Sequence, residues 1–193
     1  MLPGPAFPLT SAHVAIDSAA FVHPSAQIYG KVRLGAGVSV WPNAVIRAEA
    51  HEVVIGEGSN VQDFVMIHVG SGFPTIVGAN CSITHRVTLH GCTLGDNVLV
   101  GIGATIMDGS VIGENSIIAG GAFLKEGTIV PANSIVAGIP AVVKASRDNS
   151  RANRFNAWLY AKNAEAYARG EHRVWADIDL LNAQARFGAE PSQ

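Results

Sequence analysis

The sequence predicts an all-β fold, a parallel β-helix shaped as a triangular prism of hexads, followed by a C-terminal α-helical segment. Three observations predict it. Aliphatic residues recur every six positions at Ile16, Val22, Ile28, Leu34, Val40 and Ile46, then at Ile55, Val61 and Ile67, then at Val77, Ile83 and Leu89. A last run holds Leu94, Val100, Ile106, Ile112, Ile118, Leu124, Val130, Val136 and Val142. Four positions after nearly every one stands a small or β-branched residue, as at Ala20, Ala26, Ala44, Ser59, Cys81, Ala104, Ser110 and Ser134. After Lys144 the composition changes abruptly and apolar residues fall at helical spacing.

One aliphatic in six is too sparse for the apolar stripe of a helix at period 3.6. Short repeats of this length mark a β-helix, in which each coil buries its neighbour's face. Each hexad makes one short strand and one corner, and three hexads close a coil. The aliphatic residue points inward and the small residue fills the corner.

Residues 1–10 carry Pro3, Pro5 and Pro8 and read as an irregular arm. Residues 11–144 form the prism. Steps such as Gly56-Glu57 and Gly95-Asp96 mark its corners, where glycine turns at low steric cost. It ends near Ala137-Gly138-Ile139-Pro140-Ala141. Residues 145–193 form the helical segment. Phe155, Trp158, Leu159 and Ala166 fall on one face, interrupted by Lys162, which predicts an amphipathic helix over about Ser150 to Ala168, stopped by Gly170. A second helix is expected from Trp175 to Phe187. This tail is expected to cover a prism face or to seal a neighbouring subunit.

A chain of 193 residues fits one main domain with an appendage. The net charge of −2 comes with no basic stripe, which argues against nucleic acid as a partner. No apolar run approaches the roughly eighteen residues of a membrane span. Met1 to Thr10 has neither a positive start nor a long apolar core, so no secretory signal is expected there, and a cytoplasmic protein is. Two cysteines make no disulfide framework; Cys81 and Cys92 read as small core or corner residues without thiolate-site spacing.

The chemistry lies between Gln62 and Cys92, which holds three of the seven histidines. Ile46, Ile67 and Leu89 are each three hexads apart once short insertions after Arg47 and after His68 are allowed. The residues just after them, Arg47, His68 and His90, therefore point outward in one column, because strand side chains alternate. Coils stack about 4.8 Å apart, so His68 and His90 are neighbours. By the same count Asp63 and His85 stack in a second column. His85 and His90 cannot meet within one chain, since five extended residues span roughly 16 Å. A head-to-tail ring solves this, one copy offering His68 and His90 and the next offering His85. Three faces suggest a homotrimer. His13, His23, His51 and His172 read as ordinary surface polar residues.

Arg47, Asn60-Val61-Gln62-Asp63, His68 and His85-x4-His90-Gly91-Cys92 on a hexad prism resemble the gamma-class carbonic anhydrase family, over roughly residues 11 to 144. The resemblance implies a left-handed β-helix and a trimer with zinc between subunits, held by His68 and His90 of one chain and His85 of the next. It implies that Gln62 and Asn60 line the water on the metal, and that Arg47 and Asp63 pair across the interface. The chain also departs from the family. Arg47-Ala48-Glu49 stands where the family often reads Arg-Gly-Asp, and Ala50 and the uncharged run Val69 to Pro74 replace acidic residues of well-known members. A proton-shuttle role carried by those glutamates has no residue here to take it.

The function expected is reversible hydration of carbon dioxide to bicarbonate. Three neutral imidazoles leave a zinc ion its full charge and an open position, which brings the pKa of bound water to about 7. Fe²⁺ or Co²⁺ would also suit imidazole. Two other classes stand beside it. One is an acyltransferase or thioesterase acting on acyl-CoA, since hexad prisms also carry such enzymes. The other is a metal-binding trimeric scaffold with little turnover.

Overall fold

Stacked hexads form ladders of short parallel strands about seven coils deep. The computed structural model describes residues 13–177 and 179–187, so the arm expected over residues 1–10 lies outside the described residues. Three rows of aliphatic side chains run the length of the prism. One passes in register through Ile28, Ile46, Ile67, Leu89, Ile106 and Leu124. A second passes through Leu34, Ile55, Val77, Leu94, Ile112 and Val130. The third passes through Val22, Val40, Val61, Ile83, Val100, Ile118 and Val136. All but the partly buried Val22 are sealed from solvent, and Ala26, Ala44, Cys81 and Ala104 fill the corners between them. The hexad phases are those the repeat predicts.

The repeat fails at its two ends. Ile16 is 40% exposed, because among the described residues its strand Val14–Ile16 pairs on one side alone, with the strand Gln27–Leu34. Val142 is 51% exposed: the strand Ala141–Ser146 turns back antiparallel on Ser134–Gly138 and leaves the coil. The insertion after Arg47 is not a loop. The strand Val45–Ile55 runs through the corner, pairing with Met66–His68 at its start and with Thr75–Val77 at its end.

Corner chemistry also differs from the expectation. The left-handed turn residues of one edge are Gly37 and Gly58, then Asn80, Asn97, Asn115 and Asn133, rather than the first glycine of each Gly-acid step. Asparagine tolerates that conformation through local hydrogen bonding. Gly56 serves close stacking instead, since a Cβ there would lie 2.6 Å from the Gly78 carbonyl carbon of the next coil.

The tail begins with α1 (Ser150–Ala168), which packs on the face built from Phe21–Val22, Ser39–Val40, Asn60–Val61 and Ser82–Ile83 of its own chain. The residues it buries include Asn153, Ala157, Tyr160 and Ala164. Of the apolar stripe read from sequence, Leu159 and Ala166 are buried, whereas Phe155 and Trp158 lie beside the buried face. Phe155 and Trp158 stack on each other at 5.8 Å and on Phe187. Asn153 takes the buried position because corner carbonyls need donors: its Nδ2 donates to the carbonyls of Asn97 at 2.9 Å and Ser116 at 3.2 Å. The single second helix expected is two short ones, α2 (Val174–Asp177) and α3 (Leu180–Arg186), with the Asp179 carboxylate accepting from Asn182 N at the start of α3.

Candidate metal centre

Inward burial of Ile67 and Leu89 forces the next residue of each strand outward. Strands Met66–His68 and Thr88–His90 pair with His68 opposite His90, and Arg47 lies opposite His68 on the other side. His68 Nδ1 and His90 Nε2 come within 3.0 Å. Each ring turns its other nitrogen to a carboxylate. His68 Nε2 lies 3.1 Å from Glu49 Oε2, and His90 Nδ1 lies 2.5 Å from Asp108 Oδ1. Arg47 in turn donates to Glu49 Oε1. Burial works against the charge on Glu49, but hydrogen bonds from Arg47, its own backbone and His68, with the charge of Arg47, outweigh it and hold the carboxyl below its ordinary range.

This arrangement fits a cation. Where each outer nitrogen donates to its carboxylate, the two inner nitrogens turn lone pairs toward each other, and a proton or a metal ion between them would relieve the repulsion. Zinc held tetrahedrally at 2.0–2.1 Å sets neighbouring nitrogens about 3.3 Å apart. The observed 3.0 Å is close to that edge. A carboxylate behind each imidazole is the usual support of metal-binding histidines.

His85 occupies the adjoining corner, where it stacks one coil from Asp63 as expected. Its Nδ1 lies 3.0 Å from Asp63 Oδ2, and its Nε2 lies 3.4 Å from the Tyr160 hydroxyl. Among the described residues no three histidine, cysteine, aspartate or glutamate groups gather to hold a metal within one chain. The chain presents a pair of imidazoles and a separate third one, each ring facing its own acid. Phe64, beside Asp63, holds a left-handed φ of 59° and is 58% exposed. Ile102, at the same edge, is also 58% exposed.

Sequence reasoning missed Tyr160 and Asp108. Tyr160 reaches His85 because α1 lies on the neighbouring face and aromatic packing holds the ring, with Trp41 at 5.5 Å and Trp175 at 5.4 Å, both edge-on. Burial, with the charges of Asp63 and Tyr167 adding, pushes the Tyr160 phenol up to about 12. Its signal was a tyrosine on the alanine side of α1, legible only once that side is known to face the prism. Asp108 carried the signal of phase: it stands two places after Ile106, as Asp63 and His85 stand after Val61 and Ile83.

Gln62 and Asn60 lie under α1, each 1% exposed. Gln62 Nε2 donates to Asn60 Oδ1 at 2.9 Å, and Asn60 Nδ2 donates to Ser82 Oγ at 3.0 Å. Within the chain they bond each other rather than the histidine pair, and Arg47 and Asp63 bond Glu49 and His85 rather than one another. Cys81 and Cys92 are buried core residues whose thiols burial pushes up to about 12, which leaves them inert.

Comparison with known proteins agrees with the hexad-repeat fold. Residues 91–126 match the model of the family described as bacterial transferase hexapeptide (six repeats). The chain is similar to gamma carbonic anhydrase 1, mitochondrial, of Arabidopsis thaliana, with 43% identity over 100 residues, 49% of this chain and 36% of that one. It is similar to a probable carbonic anhydrase of Methanocaldococcus jannaschii, with 49% identity over 81 residues, 42% of this chain and 51% of that one. The matched stretches thus span about half or less of these curated relatives. Among solved structures, the hexapeptide transferase family protein from Anaplasma phagocytophilum is 35% identical, with a TM-score of 0.72, covering 81% of this chain and 92% of that one. No helix among the described residues is long and apolar enough to cross a membrane.

Proposed function

The chain belongs to the hexapeptide-repeat family, and from that premise we propose that it is a metal-dependent hydratase of the gamma carbonic anhydrase kind, interconverting carbon dioxide and bicarbonate. His68 and His90 would hold the ion together with His85 of a neighbouring copy, in a homotrimer. Zinc is the ion first expected, with Fe²⁺ and Co²⁺ as chemically acceptable substitutes. When bound, the ion supplies Lewis acidity that brings the deprotonation of water down to about pH 7.

The observation that carries this reading is the convergence of His68 Nδ1 and His90 Nε2 at 3.0 Å with a carboxylate behind each ring. The remaining chemistry belongs to the chain. Glu49, steadied by Arg47, orients the His68 ring, and Asp63 does the same for His85. Tyr160 stays a neutral phenol at His85 through the working pH range, because its pKa is about 12. Gln62, buried and with its amide pinned to Asn60, is a rigid polar group next to the Asp63 corner; the resemblance to the gamma carbonic anhydrases gives it and Asn60 the role of lining the water on the metal. Phe64 and Ile102 support the shared site, since an apolar edge flanking a half-site suits a subunit contact.

The test is metal content and carbon dioxide hydration on one metal-replete sample of the full chain. About one ion per chain is expected, with hydration that needs no coenzyme A. Acyl-CoA cleavage or transfer without hydration would replace this reading with an acyltransferase or thioesterase, the activity suggested by the transferase name of the solved relative. Metal with neither activity would leave a trimeric scaffold.

A further inference from the structure

We propose that Asp108 is the positioning residue of the site: its carboxylate on His90 Nδ1 holds the imidazole as the Nδ1–H tautomer and so presents Nε2 as the donor nitrogen. The proposal rests on the reading of His90 as a ligand.

A neutral imidazole carries its proton on one nitrogen or the other, and the partner of the first decides what the second can do. With the proton on Nε2, His90 would point it at His68 Nδ1 and close the pair to a metal. The 2.5 Å contact with Asp108 Oδ1 selects the open form. The side chains of His90 and Asp108 are 30% and 25% exposed, so the bond is partly shielded from water.

The fold makes room for that contact in a specific way. Asp108 belongs to the coil after His90 and stacks above Gly91, with Gly109 N donating to Gly91 O at 2.8 Å. Asp108 reaches back one coil because position 91 has no side chain: a Cβ on Gly91 would collide with Asp108 Oδ1. A Cβ on Gly70 would lie 2.7 Å from the same carboxylate. Two glycines thus form the cradle of one acid, and Gly91, with φ of 55°, is also in a conformation that suits glycine. The acid of another corner behaves differently. Asp96 Oδ1 accepts from the Ala79 backbone N–H at 2.8 Å and serves the turn. Among the described residues the Asp108 carboxylate bonds an imidazole.

The experiment uses the full chain, metal-free and ¹⁵N-labelled, at about pH 8.5, where ordinary imidazoles are neutral. Long-range proton–nitrogen spectra report the protonated nitrogen of His90, and zinc affinity is measured against a chromophoric chelator. Wild type should show Nδ1–H. Asp108→Ala should lose that preference and bind zinc roughly 10–100-fold more weakly. Asp108→Asn, whose amide oxygen accepts the same bond, should keep the tautomer and most of the affinity. Nε2–H in wild type would overturn the proposal without any variant, as would wild-type affinity and tautomer in Asp108→Ala. A wild-type protein that shows Nδ1–H, lost in Asp108→Ala, but binds none of Zn²⁺, Fe²⁺ and Co²⁺ would support the tautomer role and refute the hydratase reading. The two failures are therefore distinct.

Discussion

Two variants that are each inactive alone test the shared site most directly. His85→Ala keeps the His68–His90 pair and loses the third donor; His90→Ala keeps His85 and breaks the pair. The structure separates these halves, since no complete donor set lies within one chain among the described residues. In a cyclic trimer every mixed assembly contains a single interface that joins the intact pair of one variant to the intact His85 of the other. A random equal mixture should therefore recover about a quarter of the wild-type metal, and about one site per mixed trimer. The variants are unfolded together, refolded with zinc, and counted as metal per trimer after mixed assemblies are isolated by differential tags. Each variant refolded alone supplies the baseline near zero. Confirmed mixed trimers without metal would refute the shared site, because ligands drawn from one chain leave every site broken.

Other expectations follow from individual contacts. Arg47→Ala should cost at most about 1 kcal/mol of chain stability, since Arg47 and Glu49 are 45% and 50% exposed; sedimentation should show a larger loss, about 3–5 kcal/mol, if Arg47 also pairs with a buried Asp63 of the next copy. Unchanged assembly in that variant would remove Arg47 from the interface. Gly56→Ala should destabilise the prism by about 1–3 kcal/mol through overpacking against the Gly78 backbone, with metal stoichiometry unchanged in the folded fraction. For Tyr160 the folded pKa of about 12 lies above its ordinary 10.0, so its contribution is present below pH 10 and is lost as pH rises towards 12. That contribution is roughly 2–3 kcal/mol, and Tyr160→Phe should flatten this part of the alkaline stability curve measured by thermal melts. An equally steep alkaline loss in the phenylalanine variant would show that the phenol is not its source.

The sequence alone determined the prism and the outward column that carries Arg47, His68 and His90. Its signal is strong because a parallel coil repeats the same environment every eighteen or so residues, and each inward position accepts little besides an aliphatic side chain. Once Ile46, Ile67 and Leu89 are aligned, the outward places of Arg47, His68 and His90 follow from strand alternation alone. The same phase placed Asp63 beside His85. Where periodicity stops, the reading stopped with it. Phe155 and Trp158 looked like the docking stripe of α1, yet the prism corner beneath offers carbonyls, and Asn153 answers them. Tyr160 meets His85 across 75 positions of chain, a contact that follows from how α1 lies on the neighbouring face and leaves no local trace. Asp108 stood in phase but had no visible task, because its role depends on a side chain missing from Gly91 one coil away. Repetition writes itself into a sequence; contacts between non-repeating parts depend on distances that only the folded chain sets.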